Sequence, residues 1–529
     1  MTPFLRLPWL AEGLCTLTLT IHCLLKSRAF HWYISDENIY YYLARDLSID
    51  RLPYRDFFYA NPPLLLFLLK IGGSLSEWSV YGLRMVPFLA HVGGALFLFL
   101  SLRRALGALA ILPVWLYLWS FDAVRASTHS TGIAETLLFV MGALFAATRG
   151  AGAWSGAMLG LALLTKTYAV SALPGVALAI WLFSENKRGA IARFASVLVG
   201  MLVLCALLGT LVGGKAYWDM NLFYHLTKDA DEADPAETFR MVAVRNQATL
   251  FILALSAVVG SFGVLSARGG REKNSFPDAQ LPRPTFEFLA VGGTLFLCVL
   301  GFLGMQQRVF DFYFLLFLPG VGYLCAGFLI PAASLASSGG GPRGHAVAGG
   351  MLMLSLLLLA QPMIPGKWRL FLREQVTYWE HEGRHVDVLR EWVPVIGGPN
   401  ATLSGDSGAA PTLALLSGAR LALGEADTNY MRFQGGFPSA EEFIRRLEEA
   451  RVEWLVVRGR PGKNNRWNPR GLFSLKEFNV YAIERFDRVA MLKLDRVNEL
   501  MLLRRKPSQG RTPPDGESGG KADRQRDGS

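Results

Sequence analysis

The sequence predicts a polytopic α-helical membrane protein with a small α/β domain near its C-terminus. Of the 529 residues, 52% are hydrophobic and 18% are charged, and the mean hydropathy is +0.29. Soluble proteins of this length are usually poorer in apolar residues and richer in charge. The apolar residues form continuous blocks of about 20, the length of a membrane-spanning helix, rather than the alternating pattern of barrel strands. Beyond Pro365 the composition becomes that of a soluble domain.

About eleven blocks meet the length criterion for a membrane-spanning helix. The first block follows Arg6, as the apolar core of a cleavable signal peptide also would. No small-residue cleavage site precedes His31, which favours a retained helix. Pro174 leaves the boundary between the fifth and sixth blocks open. The predicted spans are 9–27, 80–102, 105–123, 133–149, 152–167, 168–184, 194–213, 246–267, 287–304, 309–331 and 346–363.

The distribution of lysine and arginine predicts the orientation of these spans. Basic residues fall in alternate loops, which the positive-inside rule places in the cytoplasm. The N-terminus is then cytoplasmic, and the outward loops include Ser35–Leu69 and Asp229–Glu237. The C-terminal domain faces outward too, as in a multi-pass protein of the inner (plasma) membrane. This placement accounts for the net charge of +11 without a nucleic-acid partner. The basic loop residues are Arg103, Arg104, Arg149, Lys187, Arg188, Arg193, Arg268, Arg271 and Lys273.

Residues 365–506 are predicted to form an extracytoplasmic α/β domain, because helical patterns alternate with short apolar strands. Residues 507–529 are rich in Gly, Pro, Ser and charge and are expected to be a disordered tail. All five cysteines lie in the apolar blocks, so no disulfide framework is expected. The predicted elements are a helix at Arg369–Trp392 ended by Pro394, a helix after the capping box of Ser439 and Glu442, and strands at 452–457 and 499–503.

One outer segment, within residues 28–79, combines acidic, aromatic and basic side chains next to a membrane span. A plain connecting loop has no need of this density, so we interpret the segment as the catalytic loop of a membrane enzyme. Its chemical groups are Asp36 and Glu37, the tyrosines Tyr40 to Tyr42, Arg45, the box Tyr54-Arg55-Asp56-Phe57-Phe58, and the pair Pro62-Pro63.

The loop sequence DENIYYYLARDL, followed by LPYRDFFYANPPLL, resembles the first outer loop of the GT-C membrane glycosyltransferases. The relevant branch contains protein O-mannosyltransferases, the lipid A aminoarabinose transferase and Rgt-type core-sugar transferases. The resemblance covers about residues 1–330 and extends only loosely to the C-terminal domain. It implies a GT-C fold with a catalytic transmembrane domain at 1–364. Four further segments agree in order: YGLRMVPFLA around Arg84, STGIAETLLF around Glu135, GLALLTKTYAVSALP around Lys166 and FDFYFLLFLP around Tyr313.

The resemblance implies an inverting transferase with a polyprenyl-phosphate sugar donor and a lipid, glycan or protein acceptor. Asp36, with Glu37 beside it, matches the catalytic acidic position, where a carboxylate takes the proton of the attacking acceptor. The leaving lipid phosphate requires cations, and Lys166 is a candidate because a charge in an apolar block needs an anionic partner. No metal site is predicted, although a divalent cation is left open. The residues expected to bind the donor phosphate or substrate are Lys166, Arg45, Arg84, Tyr40, Tyr54, Arg55, Glu135 and Tyr313.

One departure from the family pattern affects the phosphate site. Family members often have lysine immediately before the double proline, whereas this chain has Asn61. The phosphate contact of that lysine is therefore not carried over to this sequence.

Structural interpretations of the same residues remain open at this point. The acidic pair Asp36 and Glu37 also suits a helix N-terminus, and Glu135 with Lys166 also suits an intramembrane ion pair. Arg45 fits a solvated helix face and Arg84 an interfacial anchor. The three consecutive tyrosines fit an aromatic belt at the bilayer surface.

Two motifs and one other protein class compete with the transferase. His381, Glu382 and His385 have the HExxH spacing of a zinc protease, but Gly383 and polar flanks disfavour a zinc helix. The Gly405–Gly408 segment resembles a serine-protease box, although turn residues alone explain it. A transporter or lipid flippase also has many spans, but it would show matching broken helices in two halves. His22, His91 and His129 lie in or near apolar blocks and are expected to be core residues.

Overall fold

The structure is a computed structural model with two parts, a helical part that ends at Ala360 and an α/β domain that begins at Tyr378. The HExxH motif lies only partly within what is described, because the side chains of His381 and Glu382 fall outside it. The predicted tail also falls almost wholly outside. The described residues are 8–27, 30–227, 235–269, 283–306, 309–337, 342–360, 378–461, 467–469, 471–494 and 499–507.

Apolar helices make up most of the helical part, as the continuous apolar blocks require. Each of the eleven predicted spans overlaps one or more helices, but the helices of the first and last spans, Pro8–Lys26 and Pro342–Ala360, are not among those apolar enough to cross a membrane. The helices of this part, polar ones included, are α1 (Pro8–Lys26), α2 (Glu37–Asp46), α3 (Leu64–Leu75), α4 (Val80–Leu106), α5 (Ile111–Trp119), α6 (Phe121–Ala126), α7 (Ile133–Ala147), α8 (Gly152–Thr165), α9 (Leu173–Phe183), α10 (Lys187–Gly213), α11 (Lys215–Trp218), α12 (Tyr224–Thr227), α13 (Pro235–Arg245), α14 (Gln247–Gly269), α15 (Arg283–Gly304), α16 (Leu318–Ser337) and α17 (Pro342–Ala360).

Five helical segments are long and apolar enough to cross a membrane by themselves among the described residues. Four shorter apolar helices accompany them, at Leu64–Leu75, Ile133–Ala147, Gly152–Thr165 and Thr167–Phe183. The predicted class, a polytopic α-helical membrane protein, is therefore confirmed. The five long segments are Val80–Trp119, Lys187–Gly213, Gln247–Leu265, Pro284–Gly304 and Phe312–Leu335.

Small residues allow neighbouring membrane helices to approach closely. On α8, Gly152, Gly156 and Gly160 recur every four residues and therefore share one face. A Cβ at Gly156 would collide with the backbone of Phe194 on α10, and one at Gly160 would lie 2.8 Å from the Met201 Sδ. The spacing is the small-residue pattern by which membrane helices bring their backbones together.

The α/β domain contains one mixed six-stranded sheet with the order β2-β1-β3-β6-β5, and β4 pairs with the end of β3. β1 is parallel to both β2 and β3, whereas β6 is antiparallel to β3 and β5. The domain's helices are α18 (Tyr378–Ile396), α19 (Ala409–Ser417), α20 (Tyr430–Gln434), α21 (Ala440–Glu449) and α22 (Lys476–Arg485). Its strands are β1 (Thr402–Gly405), β2 (Arg420–Leu421), β3 (Trp454–Pro461), β4 (Trp467–Pro469), β5 (Phe486–Lys493) and β6 (Glu499–Arg505).

The predicted elements of this domain are present where the structure describes the chain, with one difference at a helix end. The predicted start of the first helix, Arg369, lies outside the described residues. Ser439 accepts a hydrogen bond from the Glu442 amide at 3.2 Å and begins α21 as expected. Pro394 was expected to end the preceding helix, but α18 continues to Ile396. Proline in the last turn removes only the final hydrogen bonds of a helix, so the turn survives.

The α/β domain docks on α2 of the outer loop. The Asn38 side chain donates to the Thr412 hydroxyl at 2.6 Å, and the Leu421 amide donates to the Tyr42 hydroxyl at 2.8 Å. Arg45 donates to the carbonyl oxygens of Ala414 and Ala419, both at 3.2 Å. The loop that follows the first membrane helix is thus held by residues nearly 400 positions later.

Candidate active site at the outer loop

The two acidic residues at the start of α2 have different surroundings. Asp36 is the N-cap of the helix and is exposed, without a side-chain capping bond. Glu37, one position later, is 3% exposed. Consecutive helix positions are about 100° apart, so only one of the pair can face open space while the other faces the protein.

Glu37 forms a buried ion pair with Arg84 of α4. Its other carboxylate oxygen accepts a hydrogen bond from the Ser130 amide at 3.2 Å. The Arg84 guanidinium lies over the Tyr33 ring, 4.2 Å from its centroid. Burial raises the pKa of Glu37, and the charge of Arg84 opposes this change. The pair connects α2 to the membrane helices from behind the exposed carboxylate.

Lys166 brings an ammonium group to the same face of the loop. It lies at the C-terminal end of α8, where the backbone turns extended (φ −151°, ψ 131°). Its Nζ donates to the Asn61 Oδ1 at 2.5 Å and lies 5.4 Å from the centroid of the Tyr40 ring. The backbone of Gly132 has φ +83° and lies beside the aliphatic part of the Lys166 side chain. A Cβ added at Gly132 would be 3.5 Å from the Lys166 Cγ and Cδ. The position that departs from the family pattern, Asn61, is therefore next to a lysine from another helix.

Tyr40 is partly buried between acidic groups. Burial, followed by the carboxylates of Asp427 and Asp36, raises the pKa of its hydroxyl, and a hydrogen bond with Asn61 opposes this change. The hydroxyl consequently stays protonated and keeps its capacity to donate a hydrogen bond. Tyr40 thus lies within electrostatic reach of a carboxylate from each part of the chain.

Asp427 is a residue that the sequence did not single out. It lies in the segment after β2, where its carboxylate accepts a hydrogen bond from the Asn429 amide at 3.2 Å. The segment is held by a buried ion pair between Arg432 and Glu425 at 2.7 Å. The Arg432 guanidinium also lies 4.0 Å from the centroid of the Phe58 ring in the outer loop. No local motif marks Asp427, because only the docking of the domain brings it to Tyr40.

Glu135 and Tyr313, both predicted from the resemblance, lie around Lys166 and Tyr168. Glu135 is 1% exposed, and neither of its carboxylate oxygens has a hydrogen-bond partner among the described residues. The positive charge of Lys166 attracts this carboxylate. The Tyr313 and Tyr168 hydroxyls are 2.7 Å apart and share a hydrogen bond. Tyr168 also lies within electrostatic reach of the Tyr40 hydroxyl.

Three predicted binding residues have other contacts. Arg45 is engaged with carbonyl oxygens at the end of α19, as described above. Arg55 is exposed and donates to Asp56 at 2.8 Å and to the Asp50 carbonyl at 2.9 Å. The buried Tyr54 hydroxyl donates to the Asn61 carbonyl at 2.6 Å. The structure therefore brings Asp36, Tyr40, Lys166 and Glu135 to one region, and it leaves the arginines outside it.

An apolar cavity of about 310 Å³ adjoins the outer loop, and Lys166 is not among the residues that line it. It is bounded by the outer loop, α3, α8 and α10, and its walls include Pro63 and Leu164, each two residues from Asn61 or Lys166. The remaining wall is formed by residues such as Phe67, Met201, Leu204 and Leu208. A hydrocarbon chain is the kind of group that such walls accommodate.

The competing motifs have structural explanations or remain outside the description. Asp406 accepts hydrogen bonds from the amides of Gly408 and Ala409 and forms an ion pair with Arg458 at 2.9 Å, so the protease-like box caps α19. In the HExxH motif only His385 has a described side chain, and it is buried. Among the described residues, no group of three His, Cys, Asp or Glu side chains is arranged to hold a metal ion.

His22 and His91 are buried, as predicted for core residues, and His129 is half-buried. Neither ring nitrogen of His22 or His91 has a hydrogen-bond partner among the described residues.

Solved structures resemble this chain over nearly its whole length. The crystal structure of ArnT from Cupriavidus metallidurans in the apo state has a TM-score of 0.60 and 15% sequence identity, over 93% of this chain and 98% of that one. The chain has the fold of ArnT. The structure of the same ArnT bound to undecaprenyl phosphate has a TM-score of 0.59 and 15% identity, over 92% and 98% of the two chains. The matched 93% of this chain includes its helical part and its α/β domain, so the predicted GT-C fold with a C-terminal α/β domain is confirmed.

No protein-family model matches the chain, and no curated protein does. At 15% identity the likeness to ArnT establishes the fold alone.

Proposed function

We propose that this chain is an inverting membrane glycosyltransferase that uses a polyprenyl-phosphate-linked sugar. The observation that carries the proposal is the position of the Lys166 ammonium, 2.5 Å from the Asn61 side chain of the outer loop and within electrostatic reach of the Glu135 carboxylate. An apolar cavity adjoins the same loop. A donor of this class has an anionic phosphate joined to a long hydrocarbon chain. Transfer from such a donor requires a cation for the phosphate, an apolar surface for the hydrocarbon chain and a base for the acceptor.

Asp36 is the proposed general base. Its carboxylate takes the proton of an acceptor hydroxyl or amine while that atom forms a bond to the anomeric carbon. The bond from the anomeric carbon to the phosphate oxygen breaks at the same time, and its electron pair leaves with the lipid phosphate. Attack from the face opposite the phosphate inverts the anomeric configuration.

Lys166 is the proposed phosphate ligand. Its ammonium stabilises the negative charge that develops on the leaving phosphate, and such stabilisation is strong where water is excluded. Because Asn61 replaces the lysine of the family pattern, Lys166 takes over that cationic role from α8. Asn61 then orients the ammonium and does not bind the phosphate by charge.

Asp427 is the proposed contribution of the α/β domain. A carboxylate near Tyr40 suits hydrogen bonds from sugar or acceptor hydroxyls, which are good donors to an anion. Glu135 has a related role on the membrane side, where its buried carboxylate requires a donor or cationic partner. We infer that these two groups position the substrates and that Asp36 performs the proton transfer.

The experiment that tests the function supplies membranes containing the protein with labelled polyprenyl-phosphate sugars. Transfer of label to lipid, glycan or protein identifies the acceptor class, and comparison among sugars identifies the donor. Asp36→Asn serves as the inactive control. If no label moved with any donor while the protein remained folded, the assignment as a transferase would be wrong.

ArnT was crystallised with undecaprenyl phosphate, which supports a polyprenyl-phosphate donor for a chain of the same fold. The proposed cell location is the inner membrane, with the loop and the α/β domain on the extracytoplasmic side. The basic residues in the alternate loops support this orientation.

A further inference from the structure

A polar cleft of about 640 Å³ lies at the end of the helical part opposite the outer loop. Three arginines from separate helix ends border it: Arg104 at the end of α4, Arg149 after α7, and Arg193 in the second turn of α10. Glu185, in the short link between α9 and α10, is the carboxylate of the lining. The lining therefore carries an excess of positive charge.

None of the three arginines forms an ion pair with a described residue. Arg149 donates to the Leu100 carbonyl at 3.4 Å, and its guanidinium lies 5.0 Å from the centroid of the Phe145 ring. Arg103 and Arg104 lie close enough to Arg149 for their like charges to repel it. Neighbouring cations that repel one another are stabilised when an anion binds between them.

Ser184 supplies a second and independent observation in the same cleft. Its side chain is buried, and its Oγ has no hydrogen-bond partner among the described residues. An added Cβ at Gly150, where φ is +69°, would lie 3.5 Å from this Oγ. A buried hydroxyl without a partner is unfavourable. A ligand that accepts a hydrogen bond from the Ser184 hydroxyl would remove this cost.

The cleft also lies at the level of a membrane surface. Trp181, in the last turn of α9, is 45% exposed, and the Lys187 Nζ lies 5.3 Å from the centroid of its ring. Tryptophan and lysine are typical of the boundary between the hydrocarbon core and water. A ligand in this position can have its charged group in the cleft and its acyl chains in the bilayer.

We propose that this cleft binds the phosphate headgroup of an anionic phospholipid in the leaflet opposite the catalytic loop. The arginine guanidinium groups donate to the phosphate oxygens, a pairing that their planar geometry favours. The Ser184 hydroxyl donates to the same phosphate. The site is separate from the proposed catalytic centre and does not depend on it.

Native mass spectrometry on protein taken from bilayers of phosphatidylcholine with a minor fraction of phosphatidylglycerol tests this proposal. Wild-type protein is expected to retain phosphatidylglycerol selectively. Arg149→Gln combined with Arg193→Gln should reduce retention by about tenfold or more, because the variant loses the charge-assisted hydrogen bonds of two guanidinium groups to the phosphate. The matched control is Arg188→Gln, which removes an exposed charge of α10 outside the cleft.

Three outcomes would overturn the proposal. Equal retention by the double variant and wild type would show that the cleft is not the site, and equal loss in Arg188→Gln would show general charge attraction. Displacement of the lipid by inorganic phosphate, with the same dependence on the arginines, would make the ligand a soluble phosphate. If the double variant does not fold, Arg104→Gln, at an exposed helix end, replaces it in each comparison.

Discussion

At the scale of single residues, the exposed carboxylate of Asp36 and the buried carboxylate of Glu37 differ in chemistry although they are neighbours in sequence. Asp36→Asn keeps size and much of the hydrogen bonding but removes the ability to accept a proton. Turnover should fall by about 10²–10⁴-fold, the usual loss when a positioned base is removed, with donor binding little changed.

Lys166→Ala should weaken donor binding and turnover together. Steady-state kinetics with the identified donor checks both, and near wild-type turnover in folded Asp36→Asn would remove catalysis from this loop.

Glu37→Gln is expected to act on stability. It leaves the Arg84 guanidinium buried without its anionic partner, and breaking a buried pair in this way costs about 3–5 kcal/mol. Denaturation in detergent should show the loss, and a second substitution, Arg84→Met, should recover part of it. Full stability combined with abolished turnover would instead place Glu37 in the catalytic step.

Asp427→Asn is expected to change substrate recognition more than the chemical step. Since its carboxylate is proposed to hold hydroxyl groups, KM should rise by about tenfold, equivalent to one charge-assisted hydrogen bond, with a smaller effect on kcat. Glu441→Gln, an exposed charge of the same domain, is the matched control. A proportional loss of kcat without a change in KM would contradict the positioning role.

At the scale of helices and strands, the sequence identifies elements reliably where their signal is local. The apolar blocks, the capping box of Ser439 and a strand were all predictable for this reason, although the strand was predicted at 452–457 and lies at Trp454–Pro461. Lys166 was recognisable because a charge stands out in an apolar block. Asp427 was not, because its relation to Tyr40 arises only when the last domain docks on α2. The different surroundings of Asp36 and Glu37 depend on the orientation of α2. This orientation is determined by the contacts of α2 with the α/β domain and by the ion pair of Glu37 with Arg84.

The close contact of α8 with α10 leads to a prediction at this scale. Gly156→Leu places a side chain against the Phe194 backbone, which cannot give way as a flexible side chain would. Overpacking of this kind typically costs about 1–3 kcal/mol. Gly200→Leu on α10 is the control, since an added Cβ there has nothing within 4 Å. Thermal unfolding in detergent distinguishes them, and equal melting temperatures would argue against the tight α8–α10 packing.

At the scale of the whole molecule, the predicted orientation places the loop and the α/β domain on the same side of the membrane. The domain's contacts with α2, through Thr412 and Leu421, agree with a shared compartment. A reporter that is active only in the cytoplasm, fused after Lys506, should therefore remain silent. The same reporter fused after Arg188, in a basic loop, should be active. A strong signal from the first fusion would mean that the number of crossings before Pro365 is even.

The docking of the α/β domain on α2 has a consequence for biosynthesis. The outer loop leaves the ribosome early, whereas the residues that cover it, from Thr412 to Arg432, emerge almost last. The loop must therefore remain incompletely packed until the later helices and the α/β domain have been synthesised. A chain interrupted by a premature stop or by proteolysis before Thr412 carries Asp36 and Lys166 but lacks Asp427 and the contacts that hold α2. We therefore expect full activity only from molecules that contain the whole α/β domain.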